Sequence, residues 1–247
     1  MEILENILKD LIYTNTLYGL KIEFEAQGAS LDEVIFLNNL AKKYNVNFSV
    51  KISGAEAIRD LNDIKNLNLH TIIAPLIESP YALEKFVNSV DKIYQNNSPK
   101  LEINVESIMG FKNLDEIINS EKFKRLYGVK IGRTDLANSI GLNREFVNSD
   151  DVFAIVEKIS SKIASEGLNL TLGGGVDIKT LEFTKKMPYL TQIETRNVIL
   201  NLNNFDNLPR AIELSHKFEI GLIENKEKFG IKLDKNDLER IKILSTR

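Results

Sequence analysis

The sequence predicts an α/β chain whose parallel sheet closes into a (β/α)₈ TIM barrel, and three observations predict it. Short β-like runs alternate with helix-like stretches of roughly ten to twenty residues, the pattern of parallel strands joined by helical crossovers. No low-complexity linker or internal repeat divides the 247 residues. Polar side chains gather where the runs end, as they do on the rim of a barrel where active sites are built. Seven runs are visible and a barrel needs eight. The expectation therefore includes a missing or irregular first strand near the N-terminus. On pattern alone, a doubly wound open sheet is the alternative.

The runs, in order, are GLKIEFE (19–25), FSVKIS (48–53), TIIAPLI (71–77), LEINVES (101–107), YGVKIGR (127–133), LTLGGG (170–175) and QIETRNVIL (192–200). Between them lie amphipathic stretches such as LDEVIFLNNLAKKY, SPYALEKFVNSVDKIY and SDDVFAIVEKISSKIASEG, with Ser or Asp at their starts as N-caps. Residues 1–204 read as the barrel domain. Residues 205–247 read as a helical extension that packs on the barrel or is exchanged between subunits of a homo-oligomer.

Composition narrows the function. With 32 Lys+Arg against 35 Asp+Glu, the net charge of −3 offers no broad surface for a polyanion, so nucleic acid is not an expected partner. The absence of cysteine excludes disulfides, thiolate metal sites and thiol nucleophiles. The amphipathic, acidic start MEILENILKDLIY is unlike a signal peptide, and no run of 18 apolar residues occurs. The expectation is a cytoplasmic protein that does not engage membranes.

Charged residues close nearly every run: Glu23 and Glu25, Lys51, Glu78, Glu106, Arg133 and Asp135, Glu194 and Arg196. A single charge at a strand end is usually solvated or paired, but this many on one rim point to a site. Glu106 and Asp135 follow adjacent strands and are oxygen ligands suited to a hard divalent cation, which Mg²⁺ binds through one or two carboxylates, waters and substrate. A general acid and base pair is the other reading of two carboxylates. Lys51, Arg133 and Arg196 imply a small anionic substrate. LGGGV (172–176) is either an anion-approaching loop or a tight turn, and within ETR (194–196) the simplest reading is an ion pair between Glu194 and Arg196.

INVESIMGFKNLDEII followed by GVKIGRTDLANSIG resembles the paired signatures of the HpcH/HpaI aldolase and citrate lyase β-subunit family, over about residues 17–200. The resemblance implies a (β/α)₈ barrel, a Mg²⁺ or Mn²⁺ ion on Glu106 and Asp135, and carbon–carbon lyase or aldolase chemistry through a metal-bound enolate of a 2-oxo acid or acyl group. The expected substrate is a small anionic 2-oxo acid, free, phosphorylated or CoA-linked. Taken together with the charges at the strand ends, the resemblance gives Glu25, Lys51 and Arg133 as the expected catalytic residues, with Gly132, Thr134, Glu78 and Arg196 expected to bind substrate. Gly132 is expected where the backbone approaches the ligand closely.

Two departures stand out. Lys51 replaces an arginine of the aldolases, a compact point charge in place of a planar fork. Ala26 stands where they carry a catalytic histidine, and neither His70 nor His216 is expected at the rim. A metal-bound water, Glu25, Glu78, or Lys51 with a lowered pKa is then expected as general base. An acyl-CoA lyase, a thioester hydrolase of citrate lyase type and a non-catalytic ligand-binding barrel are the alternatives.

Overall fold

The computed structural model describes residues 2–246. Eight strands close into one barrel in sequence order. They are β1 (Leu17–Glu23), β2 (Asn47–Lys51), β3 (Thr71–Ala74), β4 (Lys100–Val105), β5 (Gly128–Gly132), β6 (Asn169–Gly173), β7 (Gln192–Glu194) and β8 (Val198–Asn201). The first seven run parallel, each to the next. The eighth runs antiparallel to both β7 and β1. β1 is thus present and pairs along its length, and the strand expected to be missing near the N-terminus is instead β8, late in the chain. The run 192–200 is two strands joined by a turn at Thr195–Asn197, where Thr195 N–H donates to the Val198 carbonyl (2.9 Å) and Asn197 Nδ2 to the Lys21 carbonyl (3.0 Å).

The helices are α1 (Glu2–Tyr13), α2 (Leu31–Lys43), α3 (Ile58–Ile64), α4 (Pro80–Tyr94), α5 (Ile108–Lys112), α6 (Leu114–Ile118), α7 (Arg133–Ser139), α8 (Asp150–Ser165), α9 (Lys179–Lys185), α10 (Leu208–Asn225) and α11 (Lys235–Ser245). Their starts follow the sequence signals. Ser30 and Glu33 form a capping box on α2, and Ser79 and Ser149 cap α4 and α8, with Pro80 in the first turn of α4. Among the described residues no helix is long and apolar enough to cross a membrane.

Strand alternation sorts the side chains. Leu20, Ile22, Val50, Ile103, Val129, Ile131, Leu170 and Leu172 join the apolar core beneath the helices. The alternate set inside the barrel is charged. Lys21 bonds Glu23 (3.0 Å) and Glu194 (2.7 Å), while Lys130 bonds Glu194 (2.9 Å) and Glu102 (3.2 Å), all of them buried.

The reversed β8 redirects the tail. It descends from the rim where the parallel strands end, so α10 starts at the opposite end of the barrel, where Asn207 Nδ2 donates to the Thr14 carbonyl (2.9 Å). From there α10 climbs alongside α1, bringing Gly221 against Leu4, and α11 then packs on α10. The end of α10 and α11 therefore arrive at the rim where the parallel strands end.

Candidate active site

Glu106 directly follows β4 and continues its inward-facing series, Glu102, Asn104, Glu106. Its Oε2 accepts from Asn104 Nδ2 (2.7 Å) and its Oε1 from the Leu76 amide (3.1 Å), with Lys51 Nζ at 3.5 Å. Leu76 adopts φ +48°, a conformation that costs a non-glycine residue of order 1–3 kcal/mol. The surrounding loop holds this strain, and the amide it presents is the one that Glu106 accepts. Burial pushes the Glu106 carboxyl up, and the negative charge of Asp135 adds to that; Lys51 and the Asn104 and Leu76 donors oppose it without cancelling it.

Asp135 lies in the first turn of α7, directly after β5, at the exposed mouth of the same cavity. Desolvation raises its carboxyl, with Glu25 and Glu23 adding, against the pull of Lys51. The cavity, of about 200 Å³, is lined by both carboxylates and by Asn104, whose Oδ1 is buried without a hydrogen-bond donor among the described residues. Two carboxylates facing one cavity, beside an unsatisfied amide oxygen, fit a hard cation that keeps its other positions for water and substrate. Among the described residues no group of three or more His, Asp or Glu side chains is gathered for a metal, so the protein would supply the smaller part of such a shell.

Lys51 ends β2 and points between the acidic groups, with Nζ 2.9 Å from Glu25 Oε2 and 3.5 Å from Glu106 Oε1. Burial favours its neutral form, but Glu106, Glu23 and Glu25 outweigh burial and raise its pKa. It is therefore a fixed ammonium, and the expectation of a Lys51 base with a lowered pKa is overturned. Glu25 reaches the site through this ion pair and itself lines an adjoining outer cavity.

Gly132 and Thr134 line the inner cavity. The reason for Gly132 differs from the expected one: a Cβ there would lie 2.8 Å from Glu106 Cβ, so the glycine makes room for the carboxylate side chain. Gly132→Ala should displace Glu106, destabilise the protein by about 1–3 kcal/mol and weaken any cation-dependent ligand binding. Thermal melting and calorimetry on the same sample would check both. Gly174 meets a similar constraint: at φ +79°, with its Cβ direction 2.5 Å from the Arg133 and Thr134 amides, the glycine-rich loop is a tight packing turn against α7.

Arg133 and Glu78 are placed otherwise than expected. Arg133 is fully buried and does not line the cavity. Its Nε donates to the Gly173 carbonyl (3.1 Å) and Nη2 to Thr180 Oγ1 (3.2 Å), Nη1 bonds Asn148, and the guanidinium lies over the Phe183 ring. It ties β6 and the start of α9 to α7 rather than meeting substrate. Glu78 accepts from the Ser107 hydroxyl, and its carbonyl from Asn113 Nδ2 (2.7 Å), so it orders the loop after Glu106 from outside the cavity.

Arg196 occupies the β7–β8 turn at the rim and lines the inner cavity. Its partner is not Glu194, which Lys21 and Lys130 hold, but Glu219 of α10 at 3.7 Å. Sequence reasoning missed what the tail brings. His216 of α10 lines the cavity beside Ala26, contrary to the expectation that neither histidine reaches the rim, with Nε2 3.0 Å from the Val176 carbonyl. Arg240 of α11 lines it too. His70 sits instead against Tyr18 and Tyr127 at the strand starts.

Residues 36–170, more than half of the chain, match the HpcH/HpaI aldolase/citrate lyase family. The chain belongs to that family. Membership supports a lyase-type function. An HpcH/HpaI family protein from Burkholderia cenocepacia superposes with TM-score 0.59 at 15% identity, covering 71% of this chain and 77% of that one. The citrate synthase SbnG superposes with TM-score 0.61 at 16% identity, covering 92% and 91%. At such identities the likeness is one of fold. No curated protein matches the chain.

Proposed function

We propose that this family member is a Mg²⁺- or Mn²⁺-dependent carbon–carbon lyase or aldolase acting on the enolate of a small 2-oxo acid or acyl group. The observation that carries the reading is that Glu106 and Asp135, both with raised carboxyls, line one cavity together with the unsatisfied Asn104. Those two carboxylates would hold the ion. When bound, it supplies Lewis-acid stabilisation of the charge that develops on the enolate oxygen.

The chain's own residues supply the rest. The Lys51 ammonium is a preorganised cation facing the region where that negative charge develops, and it needs no reorganisation during reaction. His216 is the imidazole among the cavity's lining residues. A backbone carbonyl cannot donate, so the imidazole donates from Nε2 to Val176. It is the group best suited by chemistry to move a proton where the aldolase histidine gives way to Ala26. The outer cavity, of about 480 Å³, adjoins the inner one through Ala26, Arg196 and Arg240 and favours a second reading, condensation or cleavage with a larger acyl carrier seated outside.

The test is a calorimetric titration of oxalate, a mimic of the enolate of pyruvate, into metal-stripped protein with and without Mg²⁺ or Mn²⁺. Binding only with metal is the expected result. Equal binding without metal would remove the cation from the mechanism, and no binding in either case would remove the 2-oxo acid.

A further inference from the structure

The tail carries an arginine whose placement the reaction described above does not use. Arg240 on α11 forms a two-pronged contact with Glu219 of α10, Nε to Oε1 at 2.6 Å and Nη2 to Oε2 at 2.9 Å. Arg196, from the β7–β8 turn, approaches the same carboxylate at 3.7 Å. Glu219 is fully buried, and the Arg240 side chain is 12% exposed. Two guanidiniums thus converge on one buried carboxylate. The third corner of Arg240, Nη1, is buried and has no acceptor among the described residues. Both arginines line the inner cavity that holds Glu106 and Asp135, and both line the outer one. They therefore stand at the junction between the two.

We infer that Arg240 and Arg196 form a subsite for a second carboxylate of the substrate, so that the protein selects 2-oxo dicarboxylic acids over 2-oxo monocarboxylic acids of equal length. The inference rests on the enolate reading for the position of the first carboxylate. An anion at the junction would accept from Nη1 beside the two guanidiniums, whereas a methyl group there would leave Nη1 unanswered. Glu219 is then a positioning residue that aims the fork, and the reversed β8 is the reason why a tail helix can deliver it. No strand-end motif encodes this subsite, because its parts lie on β7–β8, α10 and α11.

The experiment titrates the full chain, with Mn²⁺ present, against oxaloacetate and 2-oxoglutarate and against their monoanionic counterparts 2-oxobutanoate and 2-oxopentanoate. The parent should bind at least one dianion about tenfold or more tightly than its counterpart, the range of a hydrogen bond to a charged group. Arg240→Gln should bring that ratio close to one by weakening the dianion about tenfold more than the monoanion, and Arg240→Lys should fall between. Since Arg240→Gln also uncovers Glu219, Arg196→Gln is the second variant. It keeps the Glu219–Arg240 fork and should lower the ratio without lowering the melting temperature. A parent with no dianion preference, or variants that keep the parent's ratio or weaken both ligand classes equally, would overturn the subsite. If the preference disappears while the monoanion still needs metal, the subsite fails and the enolate reading stands. If the preference persists in Glu106→Gln without metal, the subsite stands and the metal reading fails.

Discussion

Glu106→Gln should abolish metal-dependent binding of oxalate and yet leave the protein as stable as the parent, or more so, at pH 7. Removing a group that merely supports a metal ligand costs about 10–100-fold in affinity, so loss of a ligand itself should exceed about 100-fold. The stability half follows from the sign of the shift. Burial holds the folded carboxyl above its unfolded value of 4.5, so folding favours the protonated form. Relative to that form, the ionised carboxylate is destabilising, and the penalty appears as pH rises through and above the ordinary carboxylate range. Glutamine removes the penalty. It also keeps the local bonds: its oxygen can accept from Leu76, and Asn104 can turn its unsatisfied Oδ1 toward the new amide. The variant's advantage in melting temperature should shrink toward pH 4 and be largest near neutrality. Adding Mn²⁺ and oxalate should raise the melting temperature of the parent by mass action and leave the variant unmoved. A variant that both binds as the parent does and gains nothing in stability would mean that the site has been placed on the wrong carboxylate. Asp135→Asn should behave alike, with a smaller stability gain because Asp135 lies at the exposed mouth.

How much of this was legible in the sequence depends on how local each feature is. The strands that end in Glu106 and Asp135 carry their own signals, an apolar alternation followed by a carboxylate, and the capping residues of α2, α4 and α8 mark helix starts within four residues. Period-two polarity was harder to use. Lys21, Glu102 and Lys130 alternate with apolar neighbours just as rim residues would, and only barrel closure brings them close enough to Glu194 and to one another for burial as ion pairs. The β7–β8 turn is hidden because Thr195, Arg196 and Asn197 include neither glycine nor proline, and side-chain hydrogen bonds from Thr195 and Asn197 do the turning. Arg133 looks like a rim cation until Thr180, Asn148 and the Gly173 carbonyl, distant in sequence, enclose it. His216, Glu219 and Arg240 are the extreme case. Each sits in an ordinary amphipathic helix, and what makes them part of the site is the direction of β8.

Glu194→Ala should be the most destabilising single change in the barrel, costing about 3–5 kcal/mol, because it leaves two buried ammoniums without their shared partner. Lys21 and Lys130 hold Glu194 at 2.7 and 2.9 Å, and all three are nearly inaccessible to water. Burial alone would raise this carboxyl, but the coulombic pull of Lys130 and Lys21 outweighs it and holds the pKa at about 2. For a depressed carboxyl the stabilisation is fully present above the unfolded pKa of 4.5 and is lost as pH falls from there through about 2. The parent should therefore lose stability of order 3 kcal/mol across that interval from this one group, and Glu194→Gln should flatten the slope. Urea unfolding at several pH values would measure both. If Glu194→Gln leaves the acid slope as steep as the parent's, the network does not hold this charge. The comparison with Glu106 separates the two kinds of acidic residue that share one barrel interior. Glu194 faces two cations and stabilises the fold when ionised, so its loss should lower stability at pH 7. Glu106 has Lys51 at 3.5 Å, shared with Glu25, and lies near another carboxylate, so its loss should abolish cation-dependent binding and leave stability equal or higher. Opposite signs from two buried glutamates in one cavity would separate the carboxylate whose charge the barrel pairs from the one whose charge it leaves poorly compensated.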